Sequence, residues 1–133
     1  MNDWESILGD YQNSGIYNIE GSVIDSMVKP AAEGSMLDYV RLDLSRVSRK
    51  VVLLERLARI FQFPSYSGVN WDALYDNLTN ILSKPANGYV IHVVHNRTFS
   101  RKSPADWNTL CNVFEATAGF WMRQKKSFFV IFN

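Results

Sequence analysis

Cysteine is nearly absent from these 133 residues, and the single Cys111 excludes an intramolecular disulfide and any cysteine-based metal cluster. Its place on an apolar helical stripe predicts a buried thiol. Histidine is almost as scarce. His92 and His95 are the only two, and in a strand residues three apart point to opposite faces, so they predict no shared metal ion. Neither a GxGxxG nor a GxxxxGK[ST] pattern occurs, so no glycine-rich phosphate loop is encoded. No apolar run approaches the roughly 18 residues that a membrane helix needs. The opening Met1-Asn2-Asp3-Trp4-Glu5 also lacks the basic and apolar regions of a secretory signal. The expectation is a soluble, cytoplasmic protein with no cofactor and no membrane partner. An enzyme needs a nucleophile with a base, a paired acid and base, or a metal site, and the sequence names no convincing residues for any of these.

What is present suits one globular domain with a real core: 47% of residues are hydrophobic and 20% charged. The formal charge of +1 hides an asymmetry. Residues 1 to 38 carry seven acidic side chains against Lys29 alone, whereas thirteen basic residues face six acidic ones in the remainder. Such a split can signal nucleic-acid contact by the basic part. The basic residues are scattered over several elements, however, with short clusters only at Arg46-Arg49-Lys50, Arg101-Lys102 and Arg123-Lys125-Lys126.

Taken in order, Trp4, Ile7 and Leu8 have helical spacing, Gly15 to Glu20 alternates like a short strand, and Gly21-Ser22 offers a turn into Val23 to Val28. Lys29 to Ser35 reads as a loop. Tyr39 to Leu44 alternates as a half-buried strand, and Ser45 to Ser48 lead into a helix on which Val51, Leu54, Ala58 and Phe61 share a face. Tyr89 to His95 is an apolar, β-branched interior strand. Ser103-Pro104-Ala105-Asp106 opens a helix whose buried face is Trp107, Leu110, Cys111, Phe114 and Ala118, with Gly119 as a candidate interruption. Ser127 to Phe132 is a last strand, apolar on both faces. Strand, helix, helix, strand, helix, strand implies a parallel sheet with right-handed crossovers.

Between the first of these helices and the interior strand lies the most informative stretch, residues 63 to 82. Pro64, Ser65, Ser67 and Gly68 form a loop, and Asn70 is a good N-cap for the helix that follows. Trp71, Leu74, Leu78 and Leu82 fall on one apolar stripe, while Asp72, Asp76 and Thr79 share a flank with Tyr75 beside them. Like charges stacked one turn apart cost roughly 0.2 to 0.5 kcal/mol. The helix dipole offsets this for Asp72 in the first turn, but Asp76 lies beyond its reach, and no Lys or Arg occurs between Arg59 and Lys84. Two readings stay open: an exposed acidic helix face with no further role, or a negative, aromatic-edged binding surface. Catalysis by the pair has little support, because two acids on one helix face lack the opposed geometry of a glycosidase site.

The run Pro-Ser-Tyr-Ser-Gly-Val-Asn-Trp-Asp-Ala-Leu-Tyr-Asp-Asn-Leu-Thr, residues 64 to 79, resembles the loop and second helix of the barstar family of bacterial ribonuclease inhibitors. Residue types and spacing agree through Pro64, Tyr66, Gly68, Asn70, Asp72, Ala73, Leu74, Asp76, Leu78 and Thr79. The resemblance implies an α/β fold with a small three-stranded parallel sheet packed by helices over residues 39 to 133. Residues 1 to 38 have no counterpart in it and are expected to be an N-terminal extension that packs on the core, with cover of a sheet edge as its mildest role. The resemblance further implies that Tyr66, Asn70, Asp72, Tyr75, Asp76 and Thr79 contact a nuclease, with Asp76 inserted deepest. Tyr75 stands where the family has a tryptophan, Ile81 replaces a second one, and the family's glutamate from the later helix falls near Ala116, with Glu115 adjacent.

The implied function is an inhibitor or immunity protein, and not an enzyme. Its acids occupy phosphate positions in the basic active site of a cognate bacterial ribonuclease or nuclease toxin. The competing reading is a nucleic-acid-binding module that uses the basic faces of residues 39 to 133, with salt-sensitive RNA binding as its signature.

Overall fold

The computed structural model describes residues 4–19, 22–64, 68–80 and 87–133. In chain order these form α1 (Trp4–Leu8), a 3₁₀ turn (Tyr11–Asn13), β1 (Gly15–Asn18), α2 (Ser22–Gly34), β2 (Asp38–Asp43) and α3 (Lys50–Phe61). Then follow α4 (Trp71–Leu78), β3 (Gly88–Val94), α5 (Arg97–Lys102), α6 (Pro104–Arg123) and β4 (Ser127–Phe132). All strand pairs are parallel, in the order β1-β4-β3-β2.

The sheet therefore has four strands, where the resemblance implies three. The extra strand is β1, whose Gly15 to Asn18 lie beside Phe129 to Phe132 of β4. Every residue of β4 is buried, so its outer edge needs both cover and partners for its amides and carbonyls. β1 supplies them, and the pairing continues as the Ile19 amide donates to the Phe132 carbonyl at 2.8 Å. At the other end the Phe128 amide donates to Ser14 Oγ at 3.0 Å. The N-terminal segment thus extends the sheet as well as covering its edge.

Alternation along the two central strands divides the interior into two cores. On one face Ile91, Val93, Phe128 and Val130 pack with Leu53, Leu57, Leu74, Leu78, Leu110 and Phe114 of α3, α4 and α6. On the other, Val90, Phe129 and Ile131 pack with Trp4 and Leu8 of α1 and Val28, Ala31 and Ala32 of α2. The chain runs from β1 across to β2 through α2, then returns to β3 and β4 through α3 to α6. Right-handed crossovers travelling in opposite directions leave their helices on opposite faces, as observed.

Three local expectations are corrected. Residues 29 to 34 are not a loop: α2 runs on through Pro30, because burying Val28, Ala31 and Ala32 against the sheet offsets a mid-helix proline that costs about 3 kcal/mol. On α3 the buried residues are Leu53, Leu54 and Leu57, with Ala58 and Phe61 half-buried and Val51 exposed at the edge of that arc. Gly119 does not interrupt α6, which continues to Arg123 and buries Thr117 and Trp121 along with Leu110, Phe114 and Ala118. Thr117 is accommodated by donating its hydroxyl to the Val113 carbonyl at 2.7 Å, while Trp107 and Cys111 are only half-buried. Among the described residues, no helix is long and apolar enough to cross a membrane.

Candidate functional site

The start of α4 is built as its sequence predicts. Gly68 takes a positive φ of 86° in the approaching loop, and Asn70 caps the helix by accepting the Ala73 amide on Oδ1 at 2.7 Å. The helix ends early, because Thr79 closes it. Its hydroxyl donates to the Tyr75 and Asp76 carbonyls at 2.9 and 3.1 Å, and Asn80 Nδ2 adds a bond to the Asp76 carbonyl at 2.6 Å. Ala73, Leu74 and Leu78 are buried beneath α4, and Trp121 of α6 latches it by donating its indole N–H to the Leu78 carbonyl at 3.0 Å. The expected apolar residue Leu82 lies outside the described residues, as does Tyr66.

This anchoring holds the opposite side of α4 against α6 as one wall of an open groove of about 660 Å³. Trp71, Asp72, Tyr75 and Asp76 form that wall, and Thr109, Asn112, Val113 and Ala116 form the other. Both carboxylates are exposed, and among the described residues neither makes an ion pair and no Lys or Arg lines the groove. The result is a fixed pair of acceptors about 5–6 Å apart at their Cβ atoms, bordered by two aromatic rings. Such a surface fits guanidinium and ammonium groups.

Of the residues expected at this surface, Asp72, Tyr75 and Asp76 are brought together. Asn70 and Thr79 lie at the two ends of α4 with their side chains used in helix capping. Trp71, expected in the core stripe, is half-buried and shared between core and groove. The resemblance places a later-helix contact near Ala116, but the α6 wall with Thr109, Asn112 and Val113 was not anticipated. Its residues 109, 112, 113 and 116 have helical spacing, but only the packing of α6 on α4 reveals that they face the acids.

The two histidines are separated, although His95 lies past the end of β3 and not in the strand where it was expected. His92 is fully buried with Nδ1 2.7 Å from the Tyr39 hydroxyl, whereas His95 is exposed past the end of β3 with Nδ1 2.9 Å from Asp43 Oδ1. The Ser45 backbone amide, and then His95, hold the Asp43 carboxyl well below the usual carboxylate range. Burial, reinforced by the charge of Glu115, pushes the Cys111 thiol up. Among the described residues no group of three or more His, Cys, Asp or Glu side chains is placed to hold a metal ion.

The family model described as barstar, barnase inhibitor, matches residues 37–133. The chain belongs to the barstar family. The match runs from just before β2 to the end of β4, so it contains α4, α6 and the whole groove, while α1, β1 and α2 lie outside it. No curated protein matches the chain. In this barstar-family member, Ala116 lines the groove and Glu115 does not. One residue along a helix is a rotation of about 100°, so Glu115 belongs to a different face. The position where the resemblance implies a glutamate therefore faces the acids with a methyl group.

Proposed function

We propose that this protein is an inhibitor, of the immunity or antitoxin type, that binds and blocks the basic active site of a cognate bacterial ribonuclease or nuclease toxin through the α4 surface. The observation that carries this reading is the state of Asp72 and Asp76. They stand one turn apart on an anchored helix, exposed and paired with no cation of this molecule among the described residues. A nuclease cleft must be positive to hold phosphates, so carboxylates held at a fixed spacing compete for the same groups. Complementary charge also speeds encounter, which serves an inhibitor that must act before RNA is cut. Tyr75 and Trp71 add aromatic area beside the acids, and Tyr66, Asn70 and Thr79 complete the contact set that the family resemblance implies.

The test begins with capture of the partner from the source organism and identification of a nuclease, with barnase as a reference target. Asp76→Ala is then compared with the native chain in a ribonuclease inhibition assay. Close charge pairs across interfaces carry about 1.5–7 kcal/mol, so inhibition should weaken by at least about tenfold while the fold is retained. Full inhibition by Asp76→Ala removes the proposed site.

A further inference from the structure

The segment outside the family match changes the winding of the sheet. From the end of β1 the chain passes to α2 on one face, and from the end of β3 it passes to α5 and α6 on the other. The two connections part above the carboxyl ends of the strands, and in open parallel sheets such a reversal leaves a crevice in which ligands sit. A crevice of about 740 Å³ is found there, of a size that holds a small molecule. Asn18 and Ile19 bound it after β1, Phe132 and Asn133 at the end of β4, and His95 to Arg101 after β3. Without β1 one of its walls would be missing.

Among the described residues its charged side chains are the arginines. Arg46, Arg97, Arg101 and His95 line it, and among the described residues no Asp or Glu side chain does. The three arginines are exposed and none of them makes an ion pair among the described residues. The acid nearest Arg46 along the chain, Asp43, is engaged with the Ser45 amide and His95 at 2.9 Å each and with Arg41 at 3.6 Å. Arg46 and His95, each just past a strand end, adopt left-handed backbone angles with φ of 64° and 59°. Residues held in that region gather at ligand sites more than elsewhere. Ser103 Oγ also donates to the Ser48 carbonyl at 2.7 Å, which ties the sequence-distant clusters Arg46-Arg49-Lys50 and Arg101-Lys102 to the same end of the sheet.

We infer that this crevice binds a phosphate-bearing ligand of nucleotide size. Guanidinium forks match phosphate oxygens in pairs, and the neighbouring amides and hydroxyls supply further donors. The phosphate is that of a free mononucleotide or of an RNA backbone, two sources of one chemistry. The inference does not depend on the inhibitor reading, since the α4 groove and this crevice share no lining residue.

The full chain is titrated by calorimetry and amide NMR with inorganic phosphate, a nucleoside 5′-monophosphate and a short oligoribonucleotide, at salt between about 50 and 200 mM. Saturable binding is expected, with shifts at the Asn18, Asn96 and Asn133 amides. A mononucleotide that binds as tightly as the oligomer identifies the free ligand. An oligomer that binds more tightly, with a steeper salt dependence, identifies the RNA backbone. Arg46→Gln with Arg101→Gln changes two exposed side chains, so the fold persists, and affinity should fall by at least about tenfold. Asp72→Asn with Asp76→Asn should bind as the native chain does. Absence of saturable binding for all three probes, binding that survives the arginine changes, or shifts confined to other surfaces overturns the proposal.

Discussion

Removing residues 1 to 36 leaves the family-matched segment complete yet should cost it most of its stability. The deletion takes away α1, β1 and α2, and with them Trp4, Leu8, Val28, Ala31 and Ala32, which pack with Val90, Phe129 and Ile131 on one face of the sheet. Each of these is fully buried in the whole chain. Exposing a large apolar side chain costs about 1.5–3 kcal/mol, so the three together cost about 4.5–9 kcal/mol. A domain of this size has only about 5–15 kcal/mol in hand. The loss of β1 also bares the backbone edge of β4, an invitation to pair with other chains. Urea unfolding followed by far-UV circular dichroism, with size-exclusion chromatography, should show the 37–133 fragment without a cooperative transition, or aggregated. A monomeric fragment that unfolds cooperatively within about 1 kcal/mol of the full chain would refute the view that the second core is integral to this sheet.

Four further outcomes follow from single positions. Gly88→Ala should destabilise by several kcal/mol or prevent folding, because Gly88 has a φ of 152° and an added Cβ would collide with the Ser127 carbonyl. In contrast Gly119→Ala, whose Cβ would meet only the flexible end of Arg123 at 3.5 Å, should stabilise by about 0.4–1 kcal/mol in the same melt. Trp121→Phe strands the Leu78 carbonyl in a buried position at a cost of about 1–3 kcal/mol, read as a lower thermal midpoint; an unchanged midpoint would mean that α4 is anchored by packing alone. Asp43 has a lowered pKa, so its stabilising effect is present above the unfolded value near 3.9 and fades as pH falls below it. The gap in thermal midpoint between the native chain and Asp43→Asn should therefore narrow from pH 6 towards pH 3, and by a modest amount given that the carboxylate is 39% exposed.

The parts of the molecule that local chemistry determines were legible in the sequence. Asn70 caps α4, Pro104 opens α6, and Asp72, Tyr75 and Asp76 meet on one flank because helical spacing alone requires it. The mistakes arose where distant packing outweighs local preference. Pro30 reads as a break until Val28, Ala31 and Ala32 are seen buried on the sheet, and Gly119 loses its disruptive effect inside a helix anchored at both ends. The short strand at Gly15 was visible, but its partner lies more than a hundred residues away, and the pattern of a strand does not name the strand beside it. For the same reason Thr109, Asn112 and Val113 in the second wall of the acidic groove, and the short helix α5 beside the arginines, emerged only from the fold.

The hydrogen bond from the Phe128 amide to Ser14 joins residues 114 positions apart. At a synthesis rate of about 5–20 residues per second, the first strand waits roughly 6–23 s for its partner to be made. Throughout that interval the acidic N-terminal segment has no sheet to join. The charges that keep it in water are Asp3, Glu5, Asp10, Glu20, Asp25 and Glu33. The strongly negative N-terminal segment is thus suited to a nascent chain whose docking of β1 cannot precede the synthesis of β4.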